Sequence, residues 1–120
     1  MKFSVVIPTL NEEKYISGIL DCLVSQSHKE FEVIVVDSPK TIDKTFEVAS
    51  SFKKKLNLKV VVALKGGVSF QRNYGAKIAK NDYILFFDAD TLIEPVFINK
   101  IDNITIGEML LDIRHTFCCR

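Results

Sequence analysis

Four apolar runs, separated by stretches with helical spacing, limit what this chain can fold into. Phe3 to Ile7, Phe31 to Val36, Leu58 to Leu64 and Tyr83 to Phe87 are rich in valine, isoleucine, leucine and phenylalanine. Runs of that length read as strands buried on both faces, as in parallel sheets. Pro8 stops the first run, because the residue before a proline is held extended. Asn11 is read as the N-cap of the next helix, with Glu12 and Glu13 in a first turn where the helix dipole favours acids. Ile16, Ile19, Leu20 and Leu23 then recur at helical spacing. Asp43 to Phe52 places Phe46, Ala49 and Phe52 on one face. Gly66-Gly67 marks a turn, and Ser69 to Ala79 reads as a helix that Gly75 weakens by about 1 kcal/mol relative to alanine. Pro95 is read as the first position of a further helix. Strand and helix in alternation predict βαβ units and an α/β fold: an open, mostly parallel sheet with helices on both faces.

A chain of 120 residues is long enough for one core, and 48% apolar with 26% charged residues suits a globular protein. The net charge of +1 gives no nucleic-acid footprint, and the densest basic run, Lys53-Lys54-Lys55, reads as the solvated end of a helix. Three cysteines, Cys22, Cys118 and Cys119, form neither a disulfide framework nor a zinc spacing, so a reducing, cytoplasmic setting is expected. No stretch is apolar for long enough to span a bilayer, and no signal peptide is read at the start, which leaves room for peripheral membrane association. Residues 1–98 are expected to form the α/β unit. Residues 99–120 are expected to be a short tail, helical over 107–117. His28 and His115 are read as surface residues, with no partners in ligand spacing.

In open sheets of this type, ligands bind beyond the carboxyl ends of the strands, where the strand order reverses. The polar residues after the strands are therefore the candidates: Pro8, Thr9 and Glu12, then Asp37, then Asp88-Ala89-Asp90. Two carboxylates one residue apart at a buried strand exit raise each other's pKa. A divalent cation relieves that, and hard oxygen ligands suit magnesium or manganese, ions that pair with phosphates. Each residue also has a plainer reading. Asp37 can cap a turn, Glu12 can complement a helix dipole, and Arg72 can be an ordinary surface residue of a helix.

In combination the motifs resemble those of family-two glycosyltransferases, which have the GT-A fold, a Rossmann-like arrangement. Val5-Val6-Ile7-Pro8-Thr9-Leu10-Asn11-Glu12-Glu13 is similar to the family's opening. Val35-Val36-Asp37-Ser38 with Thr41-Ile42-Asp43-Lys44-Thr45, then Arg72-Asn73-Tyr74-Gly75-Ala76, then Phe87-Asp88-Ala89-Asp90 follow in the family's order, over roughly residues 3–98. The resemblance implies a nucleotide-diphosphate sugar of the UDP or GDP type, bound with Mn2+ or Mg2+. Carried over, it implies that Pro8, Thr9 and Glu12 line the nucleoside and that Asp37 accepts a hydrogen bond from the base. It further implies that Arg72 faces the base or diphosphate, that Asp88 contacts ribose or metal, and that Asp90 ligates the metal. Thirty residues follow Asp90, and none of their carboxylates sits in a context like the family's general-base motif, so no catalytic base is assigned.

Two alternatives stand beside a transferase. One is a nucleotide-binding module without transfer. The other follows from Phe86-Phe87-Asp88-Ala89-Asp90-Thr91-Leu92, which also resembles the first motif of haloacid-dehalogenase-type phosphatases, with Asp88 as nucleophile. That family places the motif on its first strand, whereas here it follows the fourth. A chain this short should leave apolar surface at a sheet edge, so self-association into a homo-oligomer is expected.

Overall fold

The computed structural model describes residues 2–103 and 117–119. Strands β1 (Phe3–Thr9), β2 (Phe31–Asp37), β3 (Leu58–Val62), β4 (Tyr83–Phe86) and β5 (Phe117–Cys119) form one sheet in the order β3-β2-β1-β4-β5. The first four are parallel, and β5 runs antiparallel to β4 at the edge. The open, mostly parallel α/β sheet expected from the apolar runs is therefore the fold. The helix expected over 107–117 falls mainly on residues outside those described.

Helices α1 (Ile16–Val24), α2 (Thr45–Ser50) and α4 (Phe97–Asp102) cover one face of the sheet, and α3 (Val68–Ile78) covers the other. The larger core lies on the first face. Phe3, Val5 and Ile7 of β1 meet Ile16, Ile19, Leu20 and Leu23 of α1 there, together with Ala49, Ile98 and Ile101. Val6, Ile34, Val36 and Ile84 point the other way, toward Phe70, Tyr74 and Ile78 of α3. This alternation follows from the two-residue period of a strand. Every residue of β1 is buried, so its apolar run is that of the sheet's central strand.

Several local expectations shift. Helix α1 begins at Ile16 rather than after Asn11, because Asn11 adopts a left-handed backbone (φ 52°) and spends its side chain on another loop. The turn that leads into α1 starts instead at the Glu12 carbonyl, which accepts from the Tyr15 and Ile16 N–H groups. Pro95 lies two residues before α4, not at its first position. The α4 entry is held by Gln26, fully buried, whose Nε2 donates to the Glu94 carbonyl at 2.7 Å and whose Oε1 accepts from the Ile98 N–H at 3.0 Å. His28 is not a surface residue. Its side chain is largely buried, edge-on to the Phe3 ring at 5.6 Å, with Nδ1 3.8 Å from Asp102.

Gly75 is a requirement of packing rather than a flaw in α3. A Cβ at this position would lie 2.4 Å from Val6 Cγ1 and 3.2 Å from Val36 Cγ2, so only glycine lets the helix approach β1 and β2 this closely.

Candidate functional site

The chain visits β1, β2 and β3 on one side and returns to β4 on the other, so the strand order reverses between β1 and β4. A cleft of about 390 Å³ opens there, lined by Pro8, Thr9, Leu10, Glu12, Gly67, Val68, Gln71, Asp88, Ala89 and Asp90. Five of the seven residues singled out from sequence thus share one wall: Pro8, Thr9, Glu12, Asp88 and Asp90.

Asp37 lies just beneath, at the end of β2, with only 3% of its surface exposed. Thr9 Oγ1 donates to its Oδ1 at 2.8 Å and Thr41 Oγ1 donates to the same oxygen at 2.7 Å. Both hydroxyls come to Oδ1, which leaves Oδ2 as the oxygen for a further donor. Arg72 is outside that lining and borders an adjoining hollow that Asp88 also lines. Its Nη2 is 3.1 Å from Asp88 Oδ1 across a partly exposed pair, and its Nε is buried without a hydrogen-bond partner. Asp88 and Asp90 themselves are exposed, with Ala89 buried between them. That alternation follows from the chain turning as it leaves β4, where the Thr91 N–H bonds the Asp88 carbonyl.

The loop after β1 and the loop after β2 are laced to one another. The Asn11 N–H bonds Thr41 Oγ1 at 3.3 Å, and the Ile42 N–H returns a bond to Asn11 Oδ1 at 2.8 Å. The Glu12 N–H bonds Thr45 Oγ1 at 2.8 Å, the Glu13 N–H bonds Asp43 Oδ2 at 3.2 Å, and the Lys44 N–H bonds Glu13 Oε1 at 2.9 Å. Thr45 Oγ1 also donates to Asp43 Oδ1.

Two carboxyl groups titrate away from their usual range. Glu12 is raised, first by partial burial and then by the negative charges of Asp90, Asp43 and Asp88. The cleft therefore concentrates negative potential that a cation would relieve. Asp43 is lowered, chiefly by the Thr45 hydroxyl and then by backbone N–H donors that stabilise its ionised form.

Asp88 and Asp90 are the hard oxygen donors suited to magnesium or manganese. Among the described residues no three Asp, Glu, His or Cys side chains form a ready-made metal cage. The pair nonetheless fits such an ion, because magnesium is commonly held by one or two carboxylates with phosphate oxygens and water completing the shell.

Gln71 was not singled out from the sequence. It is buried, lines the cleft and bonds to both β1 and β2. The signal for it was its place four residues before Gly75, on the α3 face that packs against the sheet, where a polar side chain needs partners.

The sequence model of glycosyl transferase family 2 matches residues 4–102. The poly(ribitol-phosphate) beta-N-acetylglucosaminyltransferase TarS of Staphylococcus aureus is 43% identical over 97 residues, which is 78% of this chain and 17% of that protein. The amylovoran biosynthesis glycosyltransferase AmsB of Erwinia amylovora is 44% identical over 95 residues, 75% of this chain and 31% of that protein. The chain thus spans less than a third of the length of either relative. A crystal structure of TarS residues 1–349 in complex with UDP-GlcNAc superposes with a TM-score of 0.80 at 39% identity, covering 85% of this chain and 30% of that one. The mannosyltransferase PcManGT of Pyrobaculum calidifontis, in complex with GDP-Man and Mn2+, superposes at 0.70 with 28% identity, covering 76% of this chain and 28% of that one. The motif order, the GT-A sheet and the matched family agree, and the phosphatase resemblance of Asp88-Ala89-Asp90 is set aside: this chain belongs to glycosyl transferase family 2.

Proposed function

We propose that the cleft binds the nucleoside diphosphate of a UDP- or GDP-type sugar donor, together with Mn2+ or Mg2+, as the donor-binding part of a sugar-transfer reaction. The observation that carries this reading is the meeting of Glu12, Asp37, Asp88 and Asp90 around the ends of β1, β2 and β4, at the reversal of strand order. The UDP-GlcNAc and the GDP-Man with Mn2+ held by related structures support it. Residues 1–98 would form the body of the binding unit, and 99–120 no domain of its own, since the rest of α4 packs on that body and β5 joins its sheet.

Pro8, Thr9 and Glu12 line the nucleoside end. Asp37 Oδ2 accepts an N–H from the base, with Thr9 and Thr41 holding the carboxylate in place through Oδ1. Arg72 faces Asp88, offsets its charge and adds positive potential toward the diphosphate. Asp88 contacts the ribose or the metal, and Asp90 is a metal ligand. When bound, the cation supplies charge stabilisation to a departing diphosphate. Calorimetric titration with UDP, GDP and their sugars, with and without Mn2+, is expected to show metal-dependent binding to at least one. No binding across that panel sinks the proposal.

The alternative, a nucleotide-binding module without transfer, is separated from this reading by experiment: nucleotide binding without sugar transfer or donor hydrolysis selects it.

A further inference from the structure

We propose that Gln71 is a positioning residue for the bound nucleotide, a role that rests on the nucleotide reading above. Its side chain is 3% exposed and ties together three pieces of the cleft. Nε2 donates to the Thr9 carbonyl at 2.9 Å and to the Val36 carbonyl at 2.8 Å. Oε1 accepts from the Gly67 N–H at 3.2 Å. Both amide hydrogens are thus used, one on each side of the seam between β1 and β2.

The seam matters because of what stands on it. Thr9 pairs with Asp37 in the β1–β2 register, and the Thr9 hydroxyl is one of the two that orient the Asp37 carboxylate. The Ser38 N–H donates to the same Thr9 carbonyl at 2.9 Å. Gly67 is the other end of the device. It has a left-handed φ of 123°, precedes the first residue of α3 and lines the cleft together with Asp88 and Asp90. One amide therefore sets the distance between the base acceptor on β2 and the α3 wall of the cleft. The close approach of α3 that Gly75 permits is what lets Gln71 reach both carbonyls. A leucine or methionine here would pack as well and hold none of these groups.

Gln26 supplies a matched control. It is also a fully buried glutamine whose amide donates to two backbone carbonyls, those of Cys22 and Glu94, and accepts from one N–H, but it joins α1 to α4 and takes no part in the cleft. Gln71→Met and Gln26→Met should both lower thermal stability. Only Gln71→Met should also weaken nucleotide binding, by about tenfold, because Thr9, Val36 and Gly67 are no longer held in the binding arrangement and must be ordered when nucleotide binds. The measurement is calorimetric affinity for UDP or GDP with Mn2+ well below each melting temperature. Equal affinity in Gln71→Met and the unaltered chain overturns the role of Gln71 and leaves the nucleotide reading standing. Absence of binding in the unaltered chain overturns both. If Gln71→Met does not fold, NMR on the unaltered chain decides. The Gln71 side-chain NH2 resonances should exchange slowly and shift on titration with the same nucleotide. Resonances that stay put while nucleotide binds overturn the role.

Discussion

Replacing Asp37 by asparagine leaves an oxygen at Oδ1 for the Thr9 and Thr41 hydroxyls but turns the other acceptor into a donor. Stability should change little, while nucleotide affinity should fall by about 10- to 100-fold, the worth of a hydrogen bond to a charged acceptor. Titration calorimetry of Asp37→Asn beside a melting curve separates the two effects. Unchanged affinity would remove Asp37 from the base pocket. Asp37, Asp88 and Asp90 were legible in the sequence because each closes an apolar strand, and a strand end in a parallel sheet faces the ligand edge. Gln71 was not, because its acceptors lie 62 and 35 residues away in the chain. The Arg72–Asp88 pair was not legible either, because the two residues belong to different elements, α3 and the turn after β4, that only the fold brings together.

At the scale of elements, apolar periodicity located the four parallel strands and the helix faces, whereas helix beginnings were missed. Asn11 has the chemistry of an N-cap, yet its side-chain Oδ1 is taken by the Ile42 N–H, a partner that periodicity cannot reveal. Gly75 shows the same competition between local and tertiary terms. Alanine there would favour the isolated helix by about 1 kcal/mol, but its methyl would collide with Val6. Gly75→Ala is therefore expected to destabilise the chain by about 1–3 kcal/mol net, as overpacked cores do, read as a lower denaturant midpoint. An unchanged or higher midpoint would mean that α3 can move outward freely. The laced loops carry a pH signature through Asp43. Its carboxyl is lowered in the folded chain, so the ionised form favours folding. That contribution is full above the ordinary value of 3.8 and is lost as pH falls through the lower folded value. Asp43→Asn should therefore melt below the unaltered chain at neutral pH, and the gap should close as pH falls below the ordinary value of 3.8. A gap independent of pH would assign the effect to shape alone.

Across the whole molecule the two faces of the sheet are unequally covered. Among the described residues, three helices pack on one and α3 on the other. Beside α3 an open groove of about 620 Å³ is lined by Leu64, Phe70, Asn73, Tyr74, Lys77 and Ile78, and Leu64 is 87% exposed. Next to it β3 is an edge strand. Exposed apolar surface at an open edge favours association, so sedimentation should show a dimer or larger species. A clean monomer at high concentration would contradict that expectation. No helix among the described residues is long and apolar enough to cross a membrane. The lacing of the loops after β1 and β2 also has a kinetic consequence. Five side-chain-to-backbone bonds join them, with every donor and acceptor supplied by the chain itself. The nucleoside end of the cleft is then a finished socket, and little ordering entropy is spent when it fills. Capture of a nucleotide should be a one-step encounter, a single exponential in stopped flow whose rate rises linearly with nucleotide concentration. A plateau in that rate would mean that the loops must first rearrange.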